Sequence, residues 1–79
     1  MTTAEQYNQI FCETFQIDES KLTDLTYQSV QLWDSIGHMA LIAALEEAFD
    51  IMMETDDIID LSSYEKGKEI LSKNYDVVF

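Results

Sequence analysis

Apolar residues recur every three to four positions in three stretches of the chain, and between those stretches the period is lost. In the first stretch Tyr7, Ile10, Phe11, Thr14 and Phe15 fall on one face. This predicts a helix from Thr3 to Phe15, with Thr3 and Gln6 as its capping box. The segment "QIDESKLTDLTYQSVQLW" mixes polar and apolar residues without a sustained period. It predicts a long loop held to the core by Ile17, Leu22, Leu25, Val30 and Leu32; connections of this length in a small domain usually carry function or cross the molecule. The second periodic stretch, "LWDSIGHMALIAALEEAFDI" (Leu32–Ile51), reads as one amphipathic helix. Its core stripe is Leu41, Ile42, Leu45, Ala48, Phe49 and Met52, with Glu46, Glu47 and Asp50 off the stripe.

The acidic run "ETDDIIDLS" predicts one brief helical turn, with Ile58, Ile59 and Leu61 available for burial. The last helix begins at "SSYEKGKEIL". Ser62 and Glu65 form its predicted capping box, and Tyr64, Gly67, Ile70 and Leu71 its inner face. Lys66, Lys68 and Lys73 lie toward its C-terminal end, where they suit the helix dipole. Gly67 costs roughly 1 kcal/mol against Ala in a helix interior, which points to the close approach of a neighbouring helix. The tail "NYDVVF" docks or frays. Together these elements predict a single all-α domain spanning residues 1–79. The architecture is a small four-helix bundle: three main helices, one short helix and a long first loop.

Composition narrows what such a bundle can do. A chain of 79 residues buries little more than ~60% of its unfolded surface and has little room for a deep catalytic cleft. With 47% hydrophobic residues it carries enough apolar surface for a core, so disorder is not expected. Sixteen acidic residues against four basic ones give a net charge of −12. Nucleic acid and anionic membranes are therefore poor partners. A protein with a basic patch would be drawn in, more weakly as salt rises. Cys12 is the sole cysteine, which excludes an internal disulfide or a cysteine metal cluster. The lack of a signal-peptide pattern or long apolar run reads as a cytoplasmic protein, and a monomer is expected.

Candidate chemistry centres on Asp34-Ser35 at the start of the second helix. Either residue is a good N-cap, so on local physics the pair is an ordinary helix start. A serine hydrolase would need a general base and a group to orient it. His38 is the only histidine and lies one turn on, but no G-x-S-x-G elbow and no preceding strand accompany it. His38 therefore reads as a surface or rim residue, and the chain as a non-enzyme. The carboxylates of "DDIID" and "DESKLTD" lack the central Gly and terminal Glu of a calcium loop, and no zinc ligand set exists. Glu46 and Glu47, adjacent on a helix, diverge by about 100° and suit a docking face better than an acid–base pair.

The run "DSIGHMALIAALEEAFDI", with the helices that flank it and the total length, resembles the acyl carrier proteins of fatty-acid, polyketide and related pathways. The family pattern is Asp-Ser-aliphatic followed by an amphipathic helix ending in a run like "ALEEAFDI". The resemblance extends over the whole chain. It implies that Ser35 bears a covalent 4′-phosphopantetheine arm, donated from coenzyme A by a separate Mg²⁺-dependent phosphopantetheinyl transferase. An acyl or aminoacyl group would ride on that arm as a thioester, presented to loading and transfer enzymes. The resemblance also implies that Asp34 engages the transferase, and that Ile36 and Met39 contact partners. Glu46, Glu47, Asp56 and Asp57 would contribute an acidic face for basic docking patches.

Two features depart from the family pattern. Trp33 stands where many members have a small or aliphatic residue, and is expected to staple the loop onto the helix. Gly37 and Ala40 replace acids common in fatty-acid carriers, which favours a specialised pathway, with D-alanyl and surface-polysaccharide carriers among the similar cases. The small residues Ala40, Ala43, Ala44 and Ala48, near Met39, Met52 and Met53, could leave room for an acyl chain between helices. Against this stands a reading with no prosthetic group: an acidic helical adaptor or nucleic-acid mimic.

Overall fold

A computed structural model describes residues 1–79. Four α-helices follow one another: α1 (Thr3–Phe15), α2 (Ser35–Phe49), α3 (Thr55–Asp60) and α4 (Tyr64–Asn74). The protein is an all-helical four-helix bundle with a long first loop, broken only by a 3₁₀ turn at Glu19–Lys21. No helix is long and apolar enough to cross a membrane.

Helices α1, α2 and α4 each start at a side-chain cap; the short α3 does not. The Thr2 hydroxyl accepts from Glu5 N, and the Glu5 carboxylate accepts in return from Thr2 N. This capping box lies one residue earlier than the Thr3–Gln6 pair read from the sequence. The two boxes overlap in "TTAEQ", and the chain uses the one with a carboxylate, the stronger acceptor near the positive end of a helix. α4 likewise begins one residue later than expected: Ser63, not Ser62, caps it by accepting from Lys66 N. The Ser62 carbonyl instead accepts from Tyr27 N, and Tyr64 N donates to the Leu25 carbonyl. These bonds flank an isolated antiparallel bridge between Thr26 and Ser63, which ties the long loop to the start of α4.

The core is aromatic at its centre. Tyr7, Phe11 and Phe15 from α1 are buried, as are Trp33, Leu41, Ile42, Leu45, Leu61, Tyr64, Ile70 and Leu71. Gly67 is where α1 and α4 meet: a Cβ built there would overlap the Tyr7 hydroxyl. That hydroxyl donates to the Tyr64 carbonyl at 2.7 Å. The tail docks, with Phe79 edge-on to Tyr7 at 5.0 Å between ring centroids.

Three residues read as available to the core lie outside it, one of them Ile59 on α3, 70% exposed. Met52 is 85% exposed, and Met53 is buried in its place. The helical phase stops early because Asp50 takes the left-handed conformation, φ 54°, and Ile51 N bonds back to the Glu46 carbonyl. Leu32, expected to anchor the loop, is 41% exposed. Its neighbour Trp33 points inward and does that work.

Candidate functional site

The loop before α2 is folded back on itself. Gln28 N donates to the Trp33 carbonyl at 2.9 Å, and Ser29 Oγ donates to the Thr26 carbonyl. This delivers Trp33 into the core and Asp34 to the helix start. Asp34 is the N-cap: its Oδ1 accepts from Gly37 N at 2.8 Å. The cap is thus supplied by the aspartate, and Ser35 stands exposed as the first helical residue, its hydroxyl not needed for that role. Around it Ile36 is 82% exposed and Met39 is exposed as well.

Trp33 and His38 occupy the positions just before the cap and four residues into the helix, the spacing of a hydrophobic staple. Their rings lie within 12° of one plane, edge to edge, and Trp33 Nε1 donates to His38 Nδ1 at 3.0 Å. With Nδ1 accepting, the other ring nitrogen carries the proton, so His38 Nε2 donates to the Ile58 carbonyl at 2.7 Å. His38 is therefore not the surface or rim residue its sequence position suggested. It is half-buried and joins α2 to α3. With both nitrogens committed it is poorly placed to deprotonate Ser35.

Gly37 has a specific reason to be glycine. A Cβ there would overlap the backbone carbonyl oxygen of Leu32, which packs against the first turn of α2. Gly37→Ala should therefore destabilise the protein by about 1–2 kcal/mol. Overpacking costs about 1–3 kcal/mol, and up to about 1 kcal/mol returns through the better helix propensity of alanine. Urea denaturation measures the loss, and faster amide exchange at Leu32–Ser35 would locate it in the loop. An unchanged midpoint would show that the Leu32 carbonyl is not fixed.

Ser35 borders a groove of ≈ 360 Å³. One wall is α2, through Ser35, His38 and Met39; the other is Ile58 and Ile59 of α3. Leu61, Ser62 and Tyr27 complete it, brought there by the bridge between the loop and the start of α4. A larger hollow, ≈ 600 Å³, runs along α4, but Phe79 is the single apolar residue in its lining. Sequence reading set His38 one turn from Ser35 but gave it no role there, and it did not foresee Tyr27, which the loop's bond to Ser62 brings to the groove.

The acidic residues divide into two kinds. Glu47 and Asp56 are exposed and free to meet a partner. Glu46 and Asp57, expected on the same docking face, are engaged within the chain. The Glu46 carboxylate accepts from Met53 N at 2.9 Å and clamps the turn after α2. Asp57 accepts from the Tyr75 hydroxyl at 2.6 Å and from Asn74 Nδ2 at 3.0 Å, holding α3 to the end of α4. Burial, with the Asp57 carboxylate beside it, pushes the Tyr75 hydroxyl up from its ordinary range, so it remains a donor to Asp57.

No protein-family model matches the chain, and no curated protein matches it.

Proposed function

We propose that this protein is a cytoplasmic carrier protein modified at Ser35. It holds an acyl or aminoacyl group as a thioester on a 4′-phosphopantetheine arm and presents it to partner enzymes. The observation that carries this reading is an exposed serine at the first turn of α2 whose capping role has been taken over by Asp34. A serine released in this way is accessible to a visiting transferase. The charge on the added phosphodiester would lie near the positive end of the α2 dipole, which favours an anion.

The surroundings fit such a group. An apolar groove opens beside the hydroxyl, and Ile36 and Met39 flank it with exposed apolar surface. When bound, the arm supplies a terminal thiol for thioester chemistry; the bundle's own residues position it. Ser35 Oγ would attack the coenzyme A pyrophosphate in the transferase site, forming the Oγ–P bond as adenosine 3′,5′-bisphosphate leaves. The serine proton passes to a base of the transferase, because His38 is committed elsewhere. Glu47 and Asp56 offer charge to basic docking patches, while Glu46 and Asp57 support that face from below.

The test is incubation with coenzyme A, Mg²⁺ and a broad-specificity phosphopantetheinyl transferase, read by intact mass. The expected result is a gain of one phosphopantetheine, absent in Ser35→Ala. A folded protein that stays unmodified overturns the carrier reading in favour of an acidic adaptor.

A further inference from the structure

Beneath the groove the molecule is full. Trp33, Leu41, Leu45 and Leu61 are completely buried. Phe15 stacks on Trp33 at 17° between the rings, and His38 continues the Trp33 plane edge to edge, within 12° of parallel and joined by the Nε1–Nδ1 bond. His38 is the outer member of the three and the one that lines the groove. Its ring is fixed at both ends, to Trp33 Nε1 inside and to the Ile58 carbonyl across the gap between α2 and α3. Tyr27 packs edge-on against it at 5.7 Å. The imidazole therefore bars the route from Ser35 toward the interior.

We propose that His38 is a specificity-determining residue, the depth stop of this groove. A short, uncharged acyl group, brought back to the groove by the arm on Ser35, lies between Met39 and Ile59 and does not enter the core. This deepens the carrier reading and rests on it. Two features define the cargo class. No carboxylate or ammonium lines the groove, so an uncharged chain gains burial there whereas a charged one loses hydration without a partner. A chain long enough to reach His38 gains nothing more by growing, because going deeper breaks two hydrogen bonds and displaces packed rings.

The experiment attaches the chain chemically. In a Ser35→Cys, Cys12→Ser background, the introduced thiolate attacks an alkyl methanethiosulfonate and expels methanesulfinate, leaving the alkyl group on a mixed disulfide. Cys12 is replaced to leave one reactive thiol, although burial first, and then its acidic neighbours, push its thiol up and slow its reaction. Melting temperature is measured for methyl, butyl, hexyl and decyl adducts.

With His38 in place, the melting temperature should climb by roughly 4–8 °C across the short chains and then level off before decyl. In His38→Ala the climb should continue to decyl, and in His38→Phe, which restores the ring without its bonds, it should level off again. A rise that continues through decyl with His38 in place overturns the proposal, and that measurement needs no His38 variant to fold. A plateau that survives His38→Ala overturns it too, as does a plateau lost in His38→Phe. The disulfide bypasses the transferase. A chain that refuses phosphopantetheine but shows the plateau refutes the carrier reading and leaves the depth stop standing. One that accepts phosphopantetheine without a plateau refutes the depth stop alone.

Discussion

Trp33→Ala should cost about 3–5 kcal/mol, the range for truncating a buried large aromatic. Trp33 is the largest fully buried side chain in the molecule, stacked on Phe15 at 4.9 Å, edge-on to Phe11 at 5.7 Å and joined at its edge to His38. A natural domain has about 0.05–0.15 kcal/mol of stability per residue, so a chain of 79 residues has about 4–12 kcal/mol in total. The variant should therefore forfeit between about a quarter and all of that stability. Trp33→Phe keeps an aromatic ring in the cluster but loses the Nε1 donor and leaves His38 Nδ1 without its partner. It should fall between the two, at about 1–3 kcal/mol below the native protein. Far-ultraviolet circular dichroism in urea is the appropriate readout, because both variants lack the only tryptophan. A loss below about 1 kcal/mol for Trp33→Ala would mean that the aromatic cluster does not hold the site in place.

The same residue shows how far the sequence could be read. Trp33 sits immediately before an Asp cap, and this spacing predicted a staple onto the helix; in the structure its ring lies beside that of His38 and donates to it. The partner was not predicted, because a histidine four residues into a helix signals a rim position unless both ring nitrogens find bonds. One of those bonds goes to Ile58, twenty residues away. The three main helices were legible because their periods are strong: the inner faces Tyr7–Phe11–Phe15, Leu41–Ile42–Leu45 and Ile70–Leu71 are all buried.

Local competition between neighbouring signals was not legible. Thr2 and Thr3 both begin a capping box, as Ser62 and Ser63 both offer a cap. In the second case the choice is made by Tyr27 reaching across from the loop to the Ser62 carbonyl. The acidic face is the clearest example. Glu46, Glu47, Asp56 and Asp57 are equivalent in sequence, yet a backbone N–H at Met53 and a hydroxyl at Tyr75 draw one of each pair into the framework. Charge alone could not reveal this, since the deciding partners are neutral groups distant in the chain. The exposed place of Ser35 at the start of α2 was legible for a different reason: it depends on the aspartate before it, a strictly local relation.

Gly67→Ala and Tyr7→Phe should show strong coupling in a double-mutant cycle. The Tyr7 hydroxyl fills the space that a Cβ at position 67 would need. It is held there as a donor to the Tyr64 carbonyl, and burial above all pushes it up from the ordinary tyrosine range, so it keeps its proton. Gly67→Ala alone should cost about 1–3 kcal/mol in overpacking, reduced by about 1 kcal/mol of helix propensity. Tyr7→Phe alone should cost about 0.5–1.5 kcal/mol for the lost hydrogen bond. In the double variant the colliding oxygen is gone. The next contacts of the new methyl are then Leu61 Cδ2 and Cγ, both at 3.4 Å, an ordinary packing distance. Alanine at 67 then keeps its propensity advantage, and the double variant should be no less stable than Tyr7→Phe alone. The coupling should be about 1–3 kcal/mol, within the range for residues in direct contact. Urea midpoints of the four proteins give it directly. Additivity within about 0.5 kcal/mol would show that α1 and α4 do not meet through this pair. The close approach of the two helices, which gives Gly67 its purpose, would then have to lie elsewhere.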